Sequence, residues 1–149
     1  KELLEKAKAR GVDLHLPTDV VASDAVDINA RSLGATKIFE GNIDDGWQGV
    51  DIGPKTVEDY ASCIRSAKTV FWNGPMGIFE IKASAEGSFR IAQALSACEG
   101  TTIVGGGDCV KAVKQSGCAA DITFLSTGGG ASLKLLEGKP LPGLEALKR

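Results

Sequence analysis

The stretch TTIVGGGDCV, residues 101–110, joins a short apolar run to three consecutive glycines and an aspartate. Two other stretches have the same design: KTVFWNGPMG at 68–77 and DITFLSTGGG at 121–130. In each, a β-prone run ends in glycines, and the following residues have helical spacing. Continuously apolar strands separated by helices indicate a parallel sheet covered on both faces. These stretches predict an α/β fold, a Rossmann-like three-layer sandwich with a mainly parallel sheet.

The rest of the chain also alternates between helix-like and strand-like patterns. KELLEKAKAR at 1–10 and TVEDYASCIRSA at 56–67 predict helices, whereas VDLHLP at 12–17 and DVVAS at 19–23 predict strands. The segment 40–55 has four glycines and is predicted to be one long irregular loop. Loops of that length are often functional, so this one fits either a ligand wall or a packed surface loop.

Composition excludes several classes of protein. The chain has 149 residues, of which 43% are hydrophobic and 24% charged, as expected for one globular domain without a linker or repeats. The net charge of −2 includes no basic excess, which argues against a nucleic-acid partner. No window approaches the roughly 18 apolar residues that a membrane span needs, so no membrane association is predicted.

The cysteines show no pattern of a metal site or a disulfide framework. There is no CxxC pair, and the single histidine, His15, is distant from all four cysteines in the sequence. We interpret the four as free thiols in a reducing compartment, and we predict a cytoplasmic protein. The cysteines are Cys63, Cys98, Cys109 and Cys118.

The glycine-rich loops have the chemistry of a phosphate site. Loops at the carboxyl ends of parallel strands gather at one edge of the sheet. Glycine lets backbone N–H groups approach a ligand, and the N-terminus of the next helix favours an anion. Asp108 has two interpretations here: a helix N-cap, which its position alone favours, or a ligand of hydrated Mg²⁺ bridging phosphate oxygens.

Familiar nucleotide motifs are missing from these loops. No GxxxxGK[ST] and no GxGxxG with a suitably placed acid occurs in the sequence. The nearest lysines, Lys55, Lys82 and Lys111, lie outside the glycine clusters. The positive charge that stabilises a transferring phosphoryl group would therefore come from a metal and from residues that this chain does not contain.

Four stretches, in order, carry a family resemblance: GWQGVDIGPKT at 46–56, FWNGPMGIFE at 71–80, IVGGGD at 103–108 and STGGGASLKLLEGKPLPG at 126–143. They closely resemble the C-terminal part of the phosphoglycerate kinase family. The resemblance covers essentially the whole chain. It implies that residues 1–149 are the C-terminal part of the family's nucleotide-binding domain, and that the N-terminal phosphoglycerate-binding domain is absent.

The resemblance implies an activity in glycolysis. The family transfers a phosphoryl group reversibly between 1,3-bisphosphoglycerate and ADP, giving 3-phosphoglycerate and ATP, with Mg²⁺ as cofactor. It implies a monomeric full enzyme and a fragment that is inactive alone. A noncatalytic Mg-nucleotide-binding module stays open as the alternative. A Rossmann-like dehydrogenase is the weakest interpretation, because its fingerprint is missing.

The resemblance also implies roles for individual residues. Gly106 and Gly107 match glycines beside the nucleotide phosphates, and Gly129 and Gly130 match amides near the transferring phosphoryl group. The catalytic positions that the resemblance implies are Gly107, Gly129 and Gly130. Asp108 matches the aspartate that holds magnesium, either directly or through water. The nucleotide-binding positions are Gly49, Val50, Asn73, Pro75, Gly77, Ile78, Glu80, Gly106, Gly107, Asp108 and Cys109.

Several of these residues also have simpler interpretations. Asn73 and Pro75 are turn residues, and Glu80 precedes a predicted helix, where acids are common. Trp72 is interpreted as a packing residue, and Cys63 as a small core residue of a helix. The family usually has a hydroxyl side chain where this chain has Cys109, which leaves only the backbone N–H to bind phosphate there.

Overall fold

The structure is a computed structural model, and it describes residues 2–147. Two short 3₁₀ turns, Lys82–Ser84 and Ala119–Asp121, accompany six helices and eight strands in the described part. The helices are α1 (Glu2–Ala9), α2 (Pro54–Ser66), α3 (Glu86–Ser96), α4 (Gly107–Gln115), α5 (Gly129–Leu136) and α6 (Pro142–Glu145). The strands are β1 (Asp19–Ser23), β2 (Val26–Asp27), β3 (Ser32–Leu33), β4 (Thr36–Glu40), β5 (Gln48–Ile52), β6 (Thr69–Asn73), β7 (Thr101–Gly105) and β8 (Phe124–Ser126).

The three strand–glycine–helix units form a parallel sheet with the order β6-β7-β8. Phe71 pairs with Ile103, and Ile103 pairs with Phe124. Helix α3 connects β6 to β7, and α4 connects β7 to β8, as parallel pairing requires a crossover between neighbouring strands. The predicted α/β class and its parallel sheet are confirmed.

The main core lies on one face of this sheet. Trp72 of β6 and Val104 of β7 point to that face and are almost completely buried. They belong to one cluster with apolar residues of α3, where Ile91 and Leu95 are spaced i, i+4 on one side of the helix. Burying each of these large side chains contributes about 1.5–3 kcal/mol, which fixes the helix against the strands.

The opposite face of the parallel sheet is less covered. Because side chains alternate along a strand, Phe71, Ile103 and Phe124 share this face. Phe71 and Ile103 are half-buried, and Phe124 is 60% exposed. The prediction that both faces of the sheet are covered therefore holds for only one face within residues 2–147.

A second sheet is antiparallel and has the order β4-β1-β5. DVVAS is a strand as predicted, and it pairs with strands on both sides. The prediction that residues 40–55 form one irregular loop is wrong, since β5 lies within them. Gly49 conceals this strand in the sequence, because glycine normally weakens a strand and often marks a bulge. A register irregularity lies between Val21 and Ala22, opposite this part of β5.

The prediction of a strand at VDLHLP, residues 12–17, is wrong for this structure. Its alternating apolar side chains, Val12, Leu14 and Leu16, are 56%, 49% and 57% exposed. No strand among residues 2–147 pairs with this segment. Alternation favours a strand only where a neighbouring strand accepts and donates the backbone hydrogen bonds, so the pattern alone was insufficient.

The cysteines are distributed between core and surface. All four are free thiols, and Cys109 and Cys118 are buried. The interpretation of Cys63 as a core residue is wrong, because its side chain is exposed on α2. Its Sγ lies 3.8 Å from Nε2 of His15, which is also exposed.

Candidate functional site

Glycine-rich loops meet at the carboxyl ends of β6, β7 and β8. The Asn73 side-chain amide donates a hydrogen bond to the Gly105 carbonyl at 2.7 Å. The Gly106 N–H donates to the Ser126 carbonyl at 2.8 Å. A Cβ atom added to Gly129 would lie 2.8 Å from the Gly106 Cα atom, so these two backbones are in close contact. The three predicted loops therefore form one rigid cluster.

Two helices begin at this cluster without side-chain caps. Gly106 is the N-cap of α4 and has φ 103°, a conformation that glycine adopts without strain. Gly128 is the N-cap of α5, and neither cap residue makes a side-chain hydrogen bond. The first-turn amides belong to Gly107 in α4 and to Gly129 and Gly130 in α5. Uncapped amides and two helix dipoles make this edge suited to an anion.

Asp108 does not cap the helix, so the N-cap interpretation is wrong. Gly106 occupies the cap position, and Asp108 lies in the first turn of α4. Its Oδ1 atom accepts a hydrogen bond from Lys111 Nζ at 2.9 Å, and both side chains are exposed. A carboxylate in the first turn interacts favourably with the helix dipole, which is consistent with this position.

The donor set around Asp108 fits magnesium only when phosphate is also present. No group of three or more His, Cys, Asp or Glu residues within residues 2–147 could hold a metal ion. Mg²⁺ prefers six oxygen ligands and commonly takes one or two carboxylates together with water and substrate phosphates. Asp108 supplies one carboxylate ligand, and the neighbouring amides are suited to a phosphate that could supply further oxygen ligands. This combination fits the usual coordination of Mg²⁺.

The Cys109 side chain is turned into the core. It is 1% exposed and belongs to the main apolar cluster. Burial raises the pKa of the thiol to about 11; a hydrogen bond from the Gly74 backbone opposes this, and the charge of Asp108 adds to it. The thiol therefore stays protonated at neutral pH, and its predicted contribution to a site is limited to the backbone.

A groove of about 410 Å³ adjoins the loop cluster. The Ile78 N–H donates to the Val50 carbonyl at 2.9 Å and joins the 75–78 loop to β5. Five of the predicted residues line the groove: Gly49, Val50, Pro75, Gly77 and Ile78. Pro75 in the groove lies only two residues after Asn73 of the loop cluster. The groove therefore lies next to the edge of the sheet that is suited to an anion.

Glu80 lies outside the groove lining but near the loop cluster. Its side chain is exposed in the turn that precedes α3. Its charge acts on Lys111, the same lysine that pairs with Asp108.

Comparisons with known proteins point to one family. The sequence model described as phosphoglycerate kinase matches residues 1–139. The chain is 56% identical over 149 residues to the phosphoglycerate kinase of Roseiflexus sp. (strain RS-1), covering 99% of the chain and 36% of the relative. It is 52% identical to a cytosolic phosphoglycerate kinase of Nicotiana tabacum, covering 97% of the chain and 36% of the relative.

A solved structure matches as well. The phosphoglycerate kinase of Coxiella burnetii superposes with a TM-score of 0.86 at 34% sequence identity, covering 97% of this chain and 36% of that one. The chain belongs to the phosphoglycerate kinase family. It spans 36% of the length of each of these relatives. The resemblance found in the sequence is therefore confirmed.

Asp51 is a buried residue of this phosphoglycerate kinase-family chain that sequence reasoning missed. It is 5% exposed, and it accepts hydrogen bonds from the Gly87 N–H at 2.7 Å and the Ile52 N–H at 2.9 Å. Asp51 thereby holds the start of α3 against β5 under the groove. Ser88 adds a second brace, since its Oγ accepts from the Met76 N–H at 3.0 Å. A charged residue within the apolar run GVDI was the signal available in the sequence.

We expect Asp51 to make the stability of the chain depend on pH. Burial raises its pKa to about 6; hydrogen bonds from Gly87 and Ile52 oppose this, and Glu86 adds repulsion. Because the folded state then binds the proton more tightly than the unfolded state, stability is greatest below the ordinary value of 3.8 and falls as pH rises towards 6. The expected loss from this group is about 3 kcal/mol.

Denaturant unfolding from pH 4 to 7 would check this, with Asp51→Asn compared with the unaltered chain. Asparagine does not ionise, so the difference in the free energy of unfolding between Asp51→Asn and the unaltered chain should change over this pH range. Asp45→Asn is the matched control, because Asp45 is exposed. A difference that stays constant from pH 4 to 7 would contradict the assignment.

Among the helices of residues 2–147, none combines the length and the hydrophobicity that a membrane span requires.

Proposed function

We propose that this chain is the C-terminal part of the nucleotide-binding domain of a phosphoglycerate kinase and that it binds Mg-ADP and Mg-ATP. The observation that supports this most is the meeting of two uncapped helix N-termini, those of α4 and α5, beside the carboxylate of Asp108. An anion is favoured by the amides and a cation by the carboxylate. A metal–phosphate complex carries both charges.

The nucleotide is proposed to extend from the groove to the loop cluster. The adenine lies along the wall that contains Gly49, Val50 and Ile78, where backbone and apolar surface are available to a flat ring. Glu80, exposed beyond the groove, accepts hydrogen bonds from the ribose hydroxyls. Asn73 contacts the nucleotide at the junction between groove and loops, and its amide is already oriented by the bond to Gly105.

The phosphates are proposed to bind the two helix starts. Gly106 and Gly107 lie beside the nucleotide phosphates, and the amides of Gly129 and Gly130 contact the transferring phosphoryl group. Mg²⁺ held at Asp108 would neutralise charge on the phosphate oxygens. The glycines allow close approach because no side chain stands between their amides and the ligand.

In the proposed reaction the whole enzyme transfers a phosphoryl group between 1,3-bisphosphoglycerate and ADP, as in glycolysis. In the direction of ATP use the nucleophile is a carboxylate, which has no proton to lose, so this site needs no general base. Catalysis then rests on positioning and charge stabilisation. We place the phosphoglycerate site and further cations in the part of the whole enzyme that this chain does not span, so we expect the isolated chain to be inactive.

The setting proposed for the whole enzyme follows the relatives. We place it in the cytoplasm, as for the tobacco relative named cytosolic. We propose that it acts as a monomer, because the proposed nucleotide site is built within one chain. The net charge of −2 lacks the basic excess typical of proteins that bind nucleic acid or anionic membranes, and we propose neither as a partner.

A calorimetric titration with ADP, with and without Mg²⁺, tests the proposal. We expect Mg²⁺ to strengthen ADP binding, and we expect Asp108→Asn to reduce that gain about fivefold, because the variant lacks the charge that favours the metal. Asp121→Asn, an exposed aspartate of the following 3₁₀ turn, is the matched control. No ADP binding by a chain that circular dichroism shows to be folded would contradict the proposed function.

A further inference from the structure

Lys111 lies beside Asp108, one of the two predicted acids of the nucleotide site. It is in α4, three residues after Asp108, and the two side chains form an ion pair at 2.9 Å. The ammonium group of Lys111 therefore contacts a carboxylate that we assign to metal and nucleotide binding.

The ion pair between Lys111 and Asp108 offsets a negative charge at the start of α4. The carboxylate of Asp108 lies in the first turn of α4, where the free amides favour an anion. Without a neighbouring cation, the carboxylate would repel a phosphate group arriving at these amides. Lys111 balances that charge in the absence of a metal ion, so the loop presents its amides without a net negative charge beside them.

The same position makes Lys111 a competitor of a metal ion. An ammonium group and Mg²⁺ both seek the carboxylate oxygens of Asp108, and they repel each other at short distance. The pair is exposed, with side-chain exposures of 66% for Lys111 and 63% for Asp108. Exposed ion pairs are weak, so a divalent ion can displace the lysine at small cost.

We propose that Lys111 is the counter-ion of Asp108 in the metal-free chain and that Mg²⁺ bound with the nucleotide displaces it. The inference rests on the proposed function. Lys111 is a positioning residue: it makes metal-free nucleotide binding less unfavourable and makes metal binding less favourable. It thereby lowers the dependence of nucleotide affinity on Mg²⁺.

The same helix offers a matched comparison. Lys114 is one turn further along α4, is exposed, and forms no ion pair among the described residues. Replacing either lysine with methionine removes one positive charge and keeps a long side chain with good helix propensity. Only the replacement of Lys111 removes a charge that contacts Asp108.

The test is calorimetry of ADP binding with and without Mg²⁺, which involves no catalytic turnover. The quantity compared is the ratio of the dissociation constant without Mg²⁺ to the dissociation constant with Mg²⁺. We expect Lys111→Met to raise this ratio about threefold, because metal-free binding weakens and Mg²⁺-supported binding strengthens. Lys114→Met should leave the ratio unchanged. Lys111→Arg, which keeps the cation, should restore the ratio of the unaltered chain.

The outcomes separate this inference from the function on which it rests. If the unaltered chain binds Mg-ADP but Lys111→Met and Lys114→Met give the same ratio, the counter-ion role is wrong and the nucleotide site stands. A fall in the ratio for Lys111→Met would also overturn the inference, because it would mean that Lys111 favours the metal. If the folded, unaltered chain does not bind ADP under either condition, both proposals fail.

Discussion

Gly129→Ala is expected to lower the free energy of unfolding by about 2–3 kcal/mol and to weaken ADP binding at least about tenfold. A Cβ atom at this position would lie 2.6 Å from Asn73 Nδ2 and 2.8 Å and 3.0 Å from the Cα and N atoms of Gly106. Two of these three atoms are backbone, so no side-chain rotation relieves the contact.

The neighbouring loops cannot simply move apart. Gly106 is held by its hydrogen bond to the Ser126 carbonyl, and Asn73 by its bond to the Gly105 carbonyl. Relief of the clash therefore breaks one of these bonds or shifts the start of α5. Either change moves the amides that we assign to phosphate binding, so stability and affinity fall together.

Thermal or denaturant unfolding measures the first effect, and ADP calorimetry with Mg²⁺ measures the second. Gly143→Ala is the control, because Gly143 is also in a helix and a Cβ atom there would meet nothing within 4 Å. We expect that variant to be neutral or slightly stabilising, as alanine favours a helix over glycine. Unchanged stability of Gly129→Ala would show that the loops are not in rigid contact.

The parallel part of the fold could be predicted because its signals are local. Each of the stretches 68–77, 101–110 and 121–130 contains a strand, its terminating glycines and the approach to a helix. The antiparallel sheet could not be predicted in the same way. Its pairing depends on contacts between distant residues, and β5 contains Gly49, which weakens the strand signal. The opposite error at 12–17 has the same cause, because a strand pattern does not reveal whether a partner strand is present.

The candidate site likewise contains residues that the sequence predicted and residues that only the structure revealed. The glycine loops and the groove residues were found because motifs mark them, and the structure places them together. The hydrogen bonds of Asp51 and the ion pair of Lys111 depend on three-dimensional proximity. Gly87 lies 36 residues from Asp51 in the sequence, and no spacing rule connects them. Motifs thus identified the backbone that we propose to face a ligand, whereas the side chains that support this backbone required the structure.

Asp19→Ala is expected to lower the free energy of unfolding by about 3 kcal/mol or more. Asp19 is in β1 and is 1% exposed. Its carboxylate accepts hydrogen bonds from the Lys55 N–H at 3.0 Å, the Thr56 N–H at 2.8 Å and the Thr56 hydroxyl at 2.6 Å. These amides belong to the first turn of α2, whose own N-cap, Gly53, has no side chain to bind them.

Asp19 is therefore a helix cap supplied by a distant strand. Alanine would leave two backbone N–H groups without this acceptor, while the Thr56 hydroxyl could still donate to the Asp19 carbonyl at 2.9 Å. Thr56 is 0% exposed, so water cannot easily replace the carboxylate there. A Cβ atom on Gly53 would lie 2.2 Å from the carboxyl carbon, so the glycine makes room for this cap. Loss of the carboxylate should loosen α2 from β1, and with it the core that α2 helps to form.

The pH dependence of this cap distinguishes it from simple packing. Burial opposes ionisation of Asp19, but hydrogen bonds from Thr56 and Lys55, aided by the Lys55 charge, lower its pKa below the ordinary value of 3.8. A lowered carboxyl pKa stabilises the fold above the ordinary value, and this contribution is lost as pH falls through the lowered one. The unaltered chain should thus exceed Asp19→Ala in stability at pH 7, and the gap should narrow at low pH.

Denaturant unfolding at pH 7 and at pH 3 measures that gap, with Asp13→Ala as control because Asp13 is an exposed aspartate of the preceding segment. Asp19→Asn separates charge from shape, since an amide keeps one oxygen acceptor but presents its NH₂ group to the remaining donor. We expect the stability of Asp19→Asn to lie between those of the unaltered chain and Asp19→Ala. Equal stability of Asp19→Ala and Asp13→Ala at pH 7 would contradict the capping role, because the amides of α2 would then have found water or another acceptor.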